Sequence, residues 1–167
     1  MNLIKSLLFF SVLIILSRII PHPPNFTPLI AGAIFLPFMS QDKRVILTLP
    51  LMLVFISDLI IGFHNTMLWT YSSFLLIGLI VLRFSKFDLK NLLGLSILSP
   101  TLFFLVSNFG VWSSSEMYSK DFLGLMESYI MAIPFYANNL ISTIFFSLIF
   151  YATRNIALET RPFNYFK

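Results

Sequence analysis

Long apolar stretches alternate with short polar connectors along this chain. The apolar runs cover residues 2–20, 27–39, 45–61, 67–82, 89–108 and 128–151. Each is continuous rather than alternating with period two, which predicts helices and excludes the in–out pattern of a membrane β-barrel. A helix crossing the ~30 Å hydrocarbon core needs about 20 residues. The second run falls well short of that and is expected to form a tilted or half-buried helix. The first run, Asn2 to Ile20, has Lys5 ahead of its apolar stretch, as a signal peptide does. No small-x-small cleavage pattern precedes Pro21 and five more runs follow, so it reads as a retained span. Pro100 and Pro134 fall inside the last two runs and predict kinks. Ala31-Gly32-Ala33 is a small-residue patch suited to close helix approach. The expected architecture is all-α: one integral membrane domain, a six-helix bundle spanning residues 1–167.

Composition agrees with this pattern. Of 167 residues 57% are hydrophobic, 20 are Phe and only 11% are charged, with a mean hydropathy of +0.88. Soluble domains carry about 25% charged residues, and so few charges cannot cover a water-facing surface. The absence of Cys removes disulfides, thiolate metal sites and cysteine nucleophiles. The formal charge of +4 is informative through its placement. With six crossings, Lys5, Lys43, Arg44, Arg83, Lys86, Lys90, Arg154, Arg161 and Lys167 share one side, and Arg18 and Lys120 lie on the other. That segregation predicts cytoplasmic N- and C-termini. It favours membrane orientation over nucleic-acid binding.

The remaining polar residues gather on the opposite, outer side. The connectors 21–26, 62–66 and 110–127 hold His22, Asn25, His64, Asn65, Trp112, Glu116, Tyr118, Asp121 and Glu127. Arg18, Asp58, Asn108 and Tyr129 lie within about one helical turn of the same boundary. An interfacial belt explains Trp and Tyr; the charged, imidazole and amide groups point to a small-molecule pocket open to the outside. Asp58 stands near the end of an apolar helix, where a bare carboxylate costs roughly 2.5–3.5 kcal/mol. It is expected to pair with Arg18, with a His or with backbone N–H groups; the pair serves either structure or a ligand. Gly62 is expected to close that helix in a left-handed conformation and turn His64 back over the bundle.

His22-Pro23-Pro24-Asn25-Phe26-Thr27-Pro28 has three prolines in seven residues and predicts a stiff outer cap or pocket wall. Thr27 is expected to cap the next helix, with Pro28 at its first position. Asn138 and Asn139 follow Pro134 inside the sixth run and point to different faces, so at least one is expected inward. Asn138 is taken either as the deep end of the pocket or as an interhelical tie. The segment 120–127 is weakly amphipathic and predicts a helix lying along the outer interface.

Chemistry-bearing motifs are absent. The sequence holds no HExxH, no GxSxG and no phosphate-cradling glycine loop. Two His without Cys make no dedicated metal centre. The expectation is a protein that is not an enzyme, has no cofactor and cannot hydrolyse ATP by itself.

The stretches Arg18 to Pro28, Ser57-Asp58 through Gly62-Phe63-His64, Ser107 to Trp112 and Ala132 to Tyr136 carry a family resemblance. Together with six helices and a short second one, they resemble an uncharacterised bacterial group similar to the substrate-binding S-components of energy-coupling factor (ECF) vitamin transporters. The resemblance implies a multi-pass protein of the bacterial inner membrane that binds a micronutrient from outside. It also implies a transmembrane coupling protein and ATPase subunits as partners. Many S-components carry Ala-x-x-x-Ala in the first helix for docking; here Ser6, Ser11 and Ser17 stand instead.

The expected function is therefore a membrane subunit for uptake of a vitamin or similar solute. The expected ligand contacts are Arg18, His22, Asn25, Asp58, His64, Asn108 and Asn138, with Trp112 and Tyr129 covering a ring face. The first alternative is a six-helix scaffold without ligand, of the cell-shape machinery type. The second is a solitary vitamin transporter, cobalamin included, for which His22 or His64 would supply the nitrogen ligand.

Overall fold

A computed structural model of the chain describes residues 3–39, 42–84 and 88–159, with side chains over 11–35, 42–84 and 88–154. All regular structure among these residues is helical: α1 (Leu3–Ile19), α2 (Leu29–Met39), α3 (Lys43–Ile61), α4 (Met67–Val81), α5 (Leu89–Ser114) and α6 (Phe122–Glu159). Three of them, α3, α5 and α6 over Phe122–Arg154, are long and apolar enough to cross a membrane.

Short acidic residues set where three helices begin. The carboxylate of Asp42 accepts from Arg44 N–H at 2.8 Å ahead of α3, and that of Asp88 from Asn91 N–H at 2.8 Å ahead of α5. Asp121 does the same for α6, accepting from Gly124 N–H at 2.8 Å and from the Ser119 hydroxyl at 2.9 Å. Each satisfies an N–H that a helix start leaves without a partner.

Two helices outrun their apolar runs. α5 runs on to Ser114, past the expected end at Asn108. α6 begins at Phe122, so 122–127 is its first turns and not a separate interfacial helix. Apolarity ends before the hydrogen-bonded ladder does, because a helix needs no apolar face once it leaves the hydrocarbon. Pro50, Pro100 and Pro134 sit inside α3, α5 and α6 without ending them.

The shortest helix is the centre of the fold. α2 has 11 residues, about 16 Å of helix. It packs against all five others, and every residue from Leu29 to Phe35 is buried. The expectation of a half-buried helix is corrected: a segment too short to meet both bilayer faces is instead enclosed by its neighbours. Around it Ile14, Ile34, Val54, Phe74, Ile77 and Leu92 form the core, all at 2% exposure or less. Gly32 lets α1 close on α2, since a Cβ there would overlap Ile14. Gly110 does the same for α5 against the Trp69 indole of α4. Outward-facing residues are large and apolar, among them Leu16, Phe55, Leu59, Leu79, Ile130 and Phe145.

α2 starts one residue later than expected: Pro28 holds the cap position, its carbonyl accepting from Gly32 N–H at 2.7 Å. Gly62 has φ 110° and ψ 152°, a positive-φ conformation open to glycine but extended rather than left-handed helical.

Candidate ligand-binding site

At the end of α1, Arg18 reaches across to α3. Its Nη1 lies 2.9 Å from Asp58 Oδ1 and 3.3 Å from the Val54 carbonyl, and also donates to the Ser57 hydroxyl. Asp58 is 1% exposed. Its other oxygen accepts from the Tyr71 hydroxyl of α4 at 2.9 Å, and His64 Nε2 stands 4.0 Å from it. The carboxylate is thus paired, as a buried charge must be. The 62–66 connector does bring His64 back over it, with His64 Nδ1 2.8 Å from Thr66 Oγ1.

Arg18 also lines a cavity of about 180 Å³, together with His22, Asn25, Thr70, Phe103 and Asn139. A second cavity of about 260 Å³ shares Asn25, Thr70, Phe103 and Asn139 with the first and adds Asn108 and Tyr136. A third, about 480 Å³, shares Asn25, Asn108 and Phe135 with the second and reaches Met117 and Tyr118 of the α5–α6 connector. The three adjoin in series, and Asn25 borders all of them. They lie among the end of α1, the starts of α2 and α4, the second half of α5 and the first half of α6. All the connectors read as outer therefore converge on one end.

The proline-rich segment is the partition between these spaces. Asn25 has φ 61°, a left-handed conformation that Asn tolerates better than most residues. Phe26 N–H closes a turn on the Pro23 carbonyl at 2.9 Å. Asn138 Nδ2 donates to the Pro24 carbonyl at 3.0 Å, and Phe26 packs edge-on to Phe146 at 6.0 Å. His22 Nδ1 donates to the Pro23 carbonyl at 2.7 Å.

Of the expected contacts, Arg18, His22, Asn25 and Asn108 line these cavities. Asp58 and His64 lie behind Arg18. Asn138 ties the partition, while its neighbour Asn139, 6% exposed, faces two cavities. Trp112 Nε1 donates to the Ser119 carbonyl at 2.9 Å, and the Tyr129 hydroxyl to the Leu105 carbonyl at 2.8 Å. Neither lines any of these three cavities. The ring-bearing wall is instead made by Phe103, Phe104, Phe135 and Tyr136. Tyr136 is held by Thr101, hydroxyl to hydroxyl 2.9 Å, and by Phe104 at 4.8 Å between ring centres.

Tyr71 and Thr70 had escaped sequence reading. Their position about one turn into α4, near the same boundary as Asp58 and His64, was the available signal. Among the described residues no group of three or more His, Cys, Asp or Glu is arranged to hold a metal.

An all-helical chain with membrane-crossing helices and a cluster of polar-lined cavities at one end is the class these features define. The chain belongs to the family of unknown function DUF6580, which it matches over residues 2–164. No curated protein and no solved structure matches it.

Proposed function

We propose that this protein is a six-span inner-membrane protein, both termini cytoplasmic, that binds a small vitamin-like solute at its outer face for uptake. One observation carries the reading: three adjoining cavities at a single end of the bundle, bordered by Arg18, His22, Asn25, Asn108 and Asn139. Amides and a guanidinium in membrane helices are costly, and a polar-lined hollow beside aromatic walls is the usual form of a ligand site. The opposite end supports the orientation, since Lys43, Arg44, Arg83, Lys90 and Arg154 all lie there. Lys86, Arg161 and Lys167, and the side chain of Lys5, fall outside the described residues. In this reading energy comes from partner subunits of the ECF type or from a solitary mode of action.

The test is purification in mild detergent followed by mass spectrometry of the small molecules that co-purify. A stoichiometric solute, lost when Asn139→Leu fills the shared cavity wall, is the expected result. Solute-free protein with unchanged behaviour in the variant favours a scaffold, for which the self-contained Arg18–Asp58–Tyr71 network is the supporting feature.

A further inference from the structure

The guanidinium of Arg18 is only half used by the protein. All of its contacts run through Nη1: Asp58, the Val54 carbonyl and Ser57. No described residue accepts from Nε or Nη2, although Arg18 lines the first cavity. Those two nitrogens form one edge of the planar group. Their N–H bonds run parallel, in the fork that matches the two oxygens of a carboxylate.

Two further observations point the same way. Asn139 is 6% exposed and borders the same cavity, and its amide has no hydrogen-bond partner among the described residues. Its amide atoms are not sealed off, so their hydrogen-bonding capacity is open to the cavity. Histidine aside, Arg18 is the one charged side chain lining any of the three cavities; no Asp or Glu lines them. Asp58 neutralises Arg18 from behind, away from the hollow. A cationic solute finds no counter-charge there, whereas an oxyanion finds an open fork. Next to it the second cavity offers Phe103, Phe104 and Tyr136 as a ring-bearing wall.

We propose that the solute is a small organic monocarboxylate with a planar ring. Its carboxylate sits on Arg18 Nε and Nη2 with Asn139 beside it, and its ring lies in the aromatic chamber. Asp58 and Tyr71 are positioning residues: Asp58 holds Nη1 and Tyr71 holds Asp58, which turns the free edge of Arg18 toward the hollow. The inference rests on the uptake reading and narrows its ligand class.

Purified protein is tested by thermal unfolding at neutral pH against two matched pairs, nicotinate with nicotinamide and indole-3-acetate with indole-3-acetamide. Co-purifying solutes are identified in parallel. Each pair differs in charge far more than in shape. The expected result is that acids raise the midpoint and amides do not, or that the co-purifying solute is a ring-bearing acid. Arg18→Lys keeps a cation against Asp58 but removes the fork, and should weaken acid binding on the order of 10- to 100-fold. If that variant does not fold, the double variant R18Q/D58N removes both charges together and should abolish the preference for acids. Amides binding as well as acids, undiminished acid binding in either variant, or a co-purifying solute without a carboxylate overturns the assignment while leaving uptake intact. Wild-type protein that carries no solute and binds no probe overturns the uptake reading and this assignment with it.

Discussion

The two ends of the bundle use the same residue types differently. At the basic end, Asp42 and Asp88 cap α3 and α5 from exposed positions, and Lys43, Arg44 and Lys90 are exposed beside them. At the cavity end, Asp58 is drawn inside the helix packing and Arg18 follows it. An exposed cap is a local device whose loss frays one turn. A buried pair is a tertiary device, since it ties α1, α3 and α4 together through Arg18, Asp58 and Tyr71. The lesson is that charge near a membrane boundary carries meaning through its burial, and burial is set by which helices lie alongside.

The contrast predicts a gradient of sensitivity. Asp58→Ala strands the Arg18 guanidinium among α1, α3 and α4. It should cost about 3–5 kcal/mol, read as a large fall in the unfolding midpoint in detergent. A midpoint within a degree or two of wild type would mean that water already solvates Arg18. Within α5, two glycines make a matched pair. Gly110→Ala drives a methyl group into the Trp69 indole and should destabilise by roughly 1–3 kcal/mol. Gly94 has nothing within 4 Å of a built Cβ, so Gly94→Ala should be neutral or stabilise by up to about 1 kcal/mol. Equal effects at the two positions would contradict the close α4–α5 approach. Removal of the α5 cap by Asp88→Ala should cost about 1 kcal/mol, well below the Asp58 variant.

The smallest effect expected is one of pH. The Gly124 N–H and then the Ser119 hydroxyl hold the Asp121 carboxyl below its ordinary value of 3.8. A depressed acid adds stability above that ordinary value and loses it as pH falls through the folded value. The acid limb of a stability profile should therefore be slightly flatter for Asp121→Asn than for wild type. Profiles that superimpose below pH 4 would remove Asp121 from the account of how α6 begins.

Much of the fold was legible because apolar runs and helices coincide where a helix is in contact with lipid. The boundaries at Ile61 and Met67 could be read for that reason. The C-terminal end of α5 and the start of α6 could not, since there the chain leaves the apolar region while the helical ladder continues. The site was legible in part. Arg18 and Asp58 stood out because charge is rare in such runs. Asn139 could not be told from Asn138, because neighbours on a helix differ by about 100° of rotation and only packing decides which turns inward. Phe103, Phe104 and Tyr136 were hidden among 20 Phe and 6 Tyr, where an aromatic residue carries no signal until its neighbours are known.

The enclosure of α2 bears on how the chain is assembled. Packing encloses the described side chains of this helix from Leu29 to Phe35, and part of its wall is α6, synthesised after the other five described helices, where Phe35 packs on Phe150 at 5.2 Å between ring centres. Insertion machinery that releases segments by their affinity for lipid has little to grip in so short a helix. Its seating is completed only when α6 arrives, which makes α6 the keystone of biogenesis and a truncation ahead of it a lesion at the middle of the protein.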